Sequence, residues 1–174
     1  MCEASECVEG LPNESSHCLP ATTWRNLEAL QAEGQDPARD GATLTLVNNP
    51  YRDRLIADDF RFSIPDDATI TGITVHVRRA ADRLDVAVDD SVRLTSADGI
   101  RATDRSSPLK WSTELQEITY GGPTDLWGEP WSPADVNSPD FGVALSVAYT
   151  QTAGNGRAYV DIVYATVHYR APCP

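Results

Sequence analysis

Histidines and carboxylates are the side chains in this sequence with the clearest capacity for catalysis. The chain has three histidines, His17, His76 and His168, and 26 acidic residues. No G-x-S-x-G turn or comparable local signature accompanies them, so the sequence marks no serine nucleophile with its base. Glycoside hydrolysis needs two carboxyl groups at a defined separation, and nothing singles out two of the 26 acids. The sequence therefore predicts a protein that is not an enzyme.

The histidines have plainer interpretations than catalysis. His76 alternates with apolar residues of a predicted strand, on the polar side with Thr74 and Arg78, so we expect it to face solvent. His168 lies in the last predicted strand, where a hydrogen-bonded structural role is expected. His17 has no evident partner beyond the adjacent cysteine, and its position is taken as incidental.

Acidic doublets are a candidate calcium site, because calcium prefers clustered oxygen ligands. They are Asp58-Asp59, Asp66-Asp67 and Asp89-Asp90. No D-x-D-x-D-G loop accompanies them, and aspartate is common at turns and strand ends, where it accepts backbone hydrogen bonds. We therefore favour turns and strand ends over a metal site, and expect no cofactor.

The cysteines cluster at the two ends of the chain. They are Cys2, Cys7, Cys18 and Cys173. An even number outside the cytosol indicates two disulfides, with three pairings that the sequence does not separate. Zinc bound by Cys2, Cys7, His17 and Cys18 is the alternative, but there is no C-x2-C pair. A bridge from the N-terminal segment to Cys173 would close a long loop and stabilise the fold by roughly 4 kcal/mol.

Four aromatic residues crowd into one irregular stretch. They are Trp111, Tyr120, Trp127 and Trp131. Exposed aromatic rings serve glycan binding and protein contacts, whereas buried ones would close the open end of a sandwich beneath long loops. We favour burial for Trp127. We expect Trp131, flanked by Pro130 and Pro133, to be the more exposed ring and the better candidate for contact.

Composition restricts the partners and the location. With 174 residues, 41% hydrophobic, the chain is long enough for a globular domain. The net charge of −12 and the scattered basic residues argue against nucleic acid and against anionic lipid. No apolar run is long enough to cross a membrane, and no signal peptide is evident. Disulfides without an export signal fit a mature secreted protein, or one released by lysis as virion proteins are.

Hydrophobic alternation predicts the elements that must position these residues. Residues 1–23 lack periodicity and form a cysteine-containing extension. Residues 24–174 form one domain, which begins with a short helix or 3₁₀ turn at Trp24–Ala32. Strands are predicted around Leu44–Leu46, Phe60–Ile64, Ile73–Val77, Val86–Val88, Val92–Leu94, Phe141–Tyr149 and Arg157–Tyr169. We expect the last two to form a hairpin through Gly154-Asn155-Gly156, with the final strand apolar on both faces. The fold class is therefore an all-β antiparallel sandwich, either jelly-roll or immunoglobulin-like.

Two segments of the chain carry a family resemblance. Leu55-Ile56-Ala57-Asp58-Asp59-Phe60 and Tyr120-Gly121-Gly122-Pro123-Thr124-Asp125-Leu126-Trp127-Gly128, the latter followed by Phe141-Gly142-Val143, are its markers. The chain resembles a β-sandwich domain that recurs in phage and prophage structural proteins and in bacterial surface proteins. The resemblance implies a place on the outside of a virion or cell, and it transfers no catalytic residues. The cysteines depart from it.

These observations favour a non-catalytic structural or attachment component of a phage particle. The alternative is a bacterial cell-surface adhesin or carbohydrate-binding module, and a glycan-active enzyme is less favoured. The expected partners are other virion or surface proteins, a second copy of the chain, or a glycan. Self-association is expected because the edge strands are not all protected by proline or lysine, and the chain contains one lysine.

Overall fold

The structure, a computed structural model, describes residues 42–45, 54–149 and 157–171, with the backbone alone for residues 42–45. The expected helix at Trp24–Ala32 and the boundary after residue 23 lie outside this part of the chain. So do Cys2, Cys7, Cys18, Cys173 and His17. The disulfides therefore stay a prediction.

Eight strands and one short helix make up the described residues. They are β1 (Ala42–Thr45), β2 (Arg54–Ala57), β3 (Thr69–Ala81), β4 (Ala87–Ser96), β5 (Gly99–Ile100), β6 (Gln116–Gly122), α1 (Pro133–Asn137), β7 (Gly142–Tyr149) and β8 (Arg157–Arg170). They form two four-stranded antiparallel sheets: sheet A in the order β1-β8-β3-β6 and sheet B in the order β2-β7-β4-β5. The predicted antiparallel sandwich is confirmed. This is the strand order of a jelly roll, in which β1 pairs with β8, β2 with β7, β3 with β6 and β4 with β5.

The core lies between the sheets and follows the predicted alternation. Ile73, Val75 and Val77 of β3 are fully buried, and Val143 and Leu145 of β7 meet them from sheet B. Long strands with every second residue apolar bury one face and leave the other face free. None of the helices described is both long and apolar enough to span a membrane.

Arg79 and Asp89 point inward from facing sheets. Arg79 continues the regular alternation of Ile73, Val75 and Val77 on β3, and the register shift between Arg78 and Arg79 leaves its extra residue, Asp161, on β8. On β4 the register shift between Asp89 and Ser91 reverses the alternation, so Asp89 shares the inner face with Val92 and Leu94. Val88, which was expected to alternate into the core, is only half-buried.

The inward pair forms a buried ionic cluster that bridges the sheets. The Arg79 guanidinium contacts the Asp89 carboxylate, and their side chains are 3% and 0% exposed. Asp89 also accepts hydrogen bonds from Trp111 Nε1 at 2.9 Å, Tyr120 Oη at 2.8 Å and the Ser107 amide at 2.9 Å. The guanidinium carbon of Arg79 lies 4.6 Å from the centroid of the Trp111 ring. The Asp89 carboxylate is therefore surrounded by donors that replace water, and Arg79 is held by Asp89 and the Trp111 ring.

The strand expected at Phe60–Ile64 is absent, and this segment is irregular. Asp59 and Arg61 have φ values of 57° and 58°, a left-handed conformation that interrupts a strand. The backbone groups of Ile64 pair instead with a side chain, since its amide donates to Asn137 Oδ1 at 2.8 Å and its carbonyl accepts from Asn137 Nδ2 at 2.9 Å. The prediction was wrong because alternation alone does not reveal these conformations.

The expected hairpin between the last two strands is also wrong. β7 pairs with β2 and β4 in sheet B, whereas β8 pairs with β1 and β3 in sheet A. The two strands that flank Gly154-Asn155-Gly156 therefore belong to different sheets, and these three residues lie outside the described part of the chain. Turn residues between two strands indicate a reversal of direction, but not which sheet receives the second strand.

We expect Asp89→Ala to destabilise the fold by about 3–5 kcal/mol, because it leaves the Arg79 charge buried without its partner. Replacing both residues, as in Arg79→Met with Asp89→Leu, should cost less than the sum of the two single changes. Urea unfolding of the variants measures this, with exposed Glu114→Ala as the control. Equal losses for Asp89→Ala and Glu114→Ala would contradict a bridging role for the ion pair.

Alkaline pH should weaken the same cluster. Burial raises the pKa of Tyr120 to about 12, while the nearby Arg79 charge opposes this rise. A tyrosine in the unfolded chain ionises near pH 10, so above that pH the unfolded state loses its proton first and gains stability. The free energy of unfolding should therefore fall as pH rises from about 10 to about 12, by roughly 1.4 kcal/mol per pH unit for this group. Urea unfolding across this range tests it, and the slope should be shallower in Tyr120→Phe.

Candidate functional site

The outer face of sheet A carries a group of polar and aromatic side chains, which we call the platform. Its members are Thr74, His76, Arg78, Glu117, Thr119, Tyr164 and His168. On β3 the outward residues alternate with buried Val75 and Val77, so the predicted outward position of His76 is confirmed. In the register of the sheet His76 lies opposite Thr119 of β6 on one side and Tyr164 of β8 on the other.

A stacked pair of rings forms the centre of the platform. The rings of His76 and Tyr164 are 4.4 Å apart between centroids and only 5° from parallel. Tyr164 Oη donates a hydrogen bond to Glu117 Oε2 at 3.0 Å, and His76 Nδ1 lies 3.4 Å from Glu117 Oε1. Partial burial and the bond to Glu117 raise the pKa of Tyr164, so its hydroxyl group stays protonated. The tyrosine ring is thus held by contacts on one face and at its tip.

The Tyr164 side chain is partly accessible beside this stack. β1 pairs only with Arg157–Val160 of β8, so among the described strands none flanks β8 on that side at Tyr164. The residue is 37% exposed although one ring face is covered by His76. An aromatic side chain in a fixed orientation therefore contributes to the accessible surface.

Charges on the platform are matched by neighbours. Arg78 Nε contacts the Asp161 carboxylate. Arg78 is paired with Ile162 of β8, and the bulge leaves Asp161 next to Ile162, within reach of Arg78. Glu117 faces His76 and Tyr164. His168 Nε2 and Thr74 Oγ1 are hydrogen-bonded at 2.9 Å, which confirms the structural role expected for this histidine. The platform offers ring stacking and hydrogen bonding rather than a concentrated charge.

The acidic doublets have structural roles where the structure shows them. Asp59 forms an ion pair with Arg61 that lowers the pKa of Asp59, and Asp89 belongs to the buried cluster. Asp66 and Asp67 occupy a turn closed by the hydrogen bond from the Ala68 amide to the Pro65 carbonyl at 3.0 Å. Across the described residues, no three His, Cys, Asp or Glu side chains are grouped to hold a metal ion.

The four aromatic residues singled out in the sequence separate into two buried groups. Trp111 and Tyr120 bind Asp89 between the sheets. Trp127 and Trp131 lie in the connection from β6 to β7, where their indole N–H groups donate to the carbonyls of Ile73 and Leu126 at 2.9 and 3.0 Å. Both plug one end of the sandwich, as expected for Trp127.

The expectation that Trp131 is exposed was wrong. It retains 8% of its surface, compared with 1% for Trp127. Its ring packs edge-on against Phe141 at 5.4 Å between centroids, and α1 follows directly in the chain. Ser132 caps this helix in a capping box with Asp135, an S-x-x-D start signal that is visible in the sequence. The neighbouring prolines therefore shape a helix entry and do not hold the ring in solvent.

The exposed ring of Tyr164 was missed because β8 was expected to be apolar on both faces. Its inner residues Val160, Val163 and Val167 are buried, but their spacing breaks strict alternation. The bulge at Asp161 accounts for the break. Allowing one extra residue at that acidic position would have assigned Tyr164 to the outer face.

We expect Trp127→Ala and Trp131→Ala each to destabilise the protein by about 3–5 kcal/mol, since both remove a buried aromatic side chain. Leu109→Ala is the control: this residue is 68% exposed, and its replacement should change stability by less than about 0.5 kcal/mol. Thermal and urea unfolding provide the measurement. An unchanged melting midpoint for Trp131→Ala would restore its role as an exposed contact.

No family model and no curated protein matches the chain. Among solved structures, one described as "CBM4 structure and function" aligns with a TM-score of 0.48 and 12% identity, over 76% of this chain and 87% of the other. The N-terminal cellulose-binding domain of Cellulomonas fimi β-1,4-glucanase C aligns with a TM-score of 0.39 and 11% identity, over 77% and 80% of the respective chains. Both likenesses are too distant to assign a ligand to this chain.

Proposed function

We propose that the protein is a non-catalytic carbohydrate-binding module whose ligand lies on the platform. The observation that carries the proposal is the partly exposed ring of Tyr164, oriented by the stack on His76 and the hydrogen bond to Glu117. An exposed aromatic ring already fixed in position loses little conformational entropy when a ligand covers it.

The chemistry of the platform matches that of a sugar. A pyranose ring presents C–H bonds on one face and hydroxyl groups around its rim, so it packs on an aromatic face while its rim seeks donors and acceptors. Tyr164 supplies the aromatic face. Thr119 and Glu117 stand on β6, on the far side of β3, and His168 stands farther along β8. Their hydroxyl, carboxylate and imidazole groups are able to bond sugar hydroxyls.

The carboxylates of the platform support binding rather than hydrolysis. Glycosidases need one carboxyl group to protonate the leaving oxygen and a second to act as base or nucleophile. Here Asp161 is 9% exposed and contacts Arg78, while Glu117 accepts from Tyr164 and faces His76. Each carboxylate is engaged in holding the protein's own side chains.

A structural or attachment component on a phage particle or bacterial cell is the second candidate. Leu84 and Leu109, both 68% exposed, favour it. They lie in neighbouring loops joined by the ion pair between Lys110 Nζ and Asp85 Oδ1 at 2.8 Å. This leucine pair lies at the opposite end of the sandwich from Trp131, where a neighbouring protein could cover it without obstructing the platform.

We expect Tyr164→Ala to abolish glycan binding and to leave the melting midpoint nearly unchanged, because the side chain is on the surface. Tyr169→Ala is a matched control. Tyr169 is 44% exposed and lies on the same strand, but its register partner is the buried Ile70, so it faces away from the platform. A glycan array followed by affinity electrophoresis on the positive polysaccharides measures binding. Full binding by Tyr164→Ala would refute the platform as the site, and no binding by the wild-type protein would refute the function.

A further inference from the structure

A second tyrosine shares the outer face of β8 with Tyr164. Tyr159 pairs with Ala80, and its neighbours Ala158 and Val160 are fully buried, so Tyr159 points outward. Tyr164 follows Tyr159 by five positions, an odd spacing that places side chains on opposite faces of a regular strand. The bulge at Asp161 restores the phase, so both rings lie on one face.

The separation of the two rings sets the size of the ligand. Their partners on β3, Ala80 and His76, are four residues apart, which corresponds to about 13 Å along the strand. Half-buried Ile162 lies between them on the same face, opposite Arg78. This distance exceeds the length of one sugar ring, so a ligand that contacts both tyrosines is an oligosaccharide lying along β8.

The charge of the platform sets the chemical class. Near Tyr164 the Arg78 charge is balanced by Asp161, and Glu117 faces His76. Arg157 and Arg170 stand at the two ends of β8, beyond the tyrosines. The protein as a whole carries a net charge of −12, which repels a polyanion.

From these three observations we propose that the ligand is a neutral, linear polysaccharide bound along β8 across Tyr159, Ile162 and Tyr164. The proposal rests on the carbohydrate-binding function and adds the direction, minimum length and charge of the ligand. Binding then depends on two tyrosine rings, Tyr159 and Tyr164, that contact different sugar units of the ligand. Internal stretches of a polysaccharide are therefore bound as well as its ends.

Length dependence tests the two-ring contact. With the complete protein and a series of neutral oligosaccharides from the polysaccharide that binds best, calorimetry should show affinity rising from the monosaccharide until the ligand spans both tyrosines, then levelling off. Tyr159→Leu, which keeps apolar bulk but removes the ring, should weaken binding of the longest oligosaccharide about three- to tenfold and leave the disaccharide unchanged. Tyr169→Leu is the control and should change neither affinity.

The outcomes separate this inference from the function on which it rests. If Tyr164→Ala abolishes binding while Tyr159→Leu has no effect on any length, the module binds glycans but the extended site is wrong. Polygalacturonate or alginate binding more tightly than neutral polysaccharides, with affinity lost as salt is added, would overturn the neutral class. A wild-type protein that binds no glycan would overturn both proposals. Unfolding curves establish that Tyr159→Leu is folded, and Tyr159→Phe, which keeps the ring, should retain wild-type affinity.

Discussion

The buried carboxylate of Asp89 is the constraint around which the two sheets are arranged. It lies on sheet B but takes its partners from elsewhere: Arg79 and Tyr120 from sheet A, and Trp111 from the β5–β6 connection. An ionised carboxylate away from water is tolerated only when such donors surround it. Each of these elements therefore has one position in which the charge is satisfied, and a shifted register in β3 or β4 would leave Asp89 or Arg79 without its partner.

The backbone irregularities that serve the interior also shape the outer face. Alternation along β3 places Arg79 in the core and Arg78 on the platform, and the register shift between them leaves the extra residue Asp161 on β8, where it contacts Arg78. The same extra residue aligns Tyr159 and Tyr164 on one side. Since bulges are locked by the pairing of long strands, the spacing of these rings is as rigid as the core beneath it.

The alternation of apolar and polar residues was sufficient to predict the fold class, because a strand with one buried face has an apolar residue at every second position. It located the inward set Ile73, Val75 and Val77 and the outward position of His76. It failed where the period breaks: at the left-handed Asp59, at the inward Asp89 and at the bulge near Asp161. The candidate site was missed for the same reason. Trp127 and Trp131 were predicted as candidate contacts from their residue type alone, but whether a loop tryptophan is buried depends on tertiary contacts that the sequence pattern does not show.

The jelly-roll order places the start of β1 beside β8, antiparallel to it, so the two flanking chain segments leave toward the same end of the sandwich. A force applied through both segments would act on the β3–β8 ladder as well as on the β1–β8 ladder, because β8 continues to Arg170 beyond its described pairing with β1 at Val160. The load would therefore pass through the strands that carry the platform. A covalent link between the two segments would bypass these strands, and the platform would stay unloaded while the chain ends are pulled.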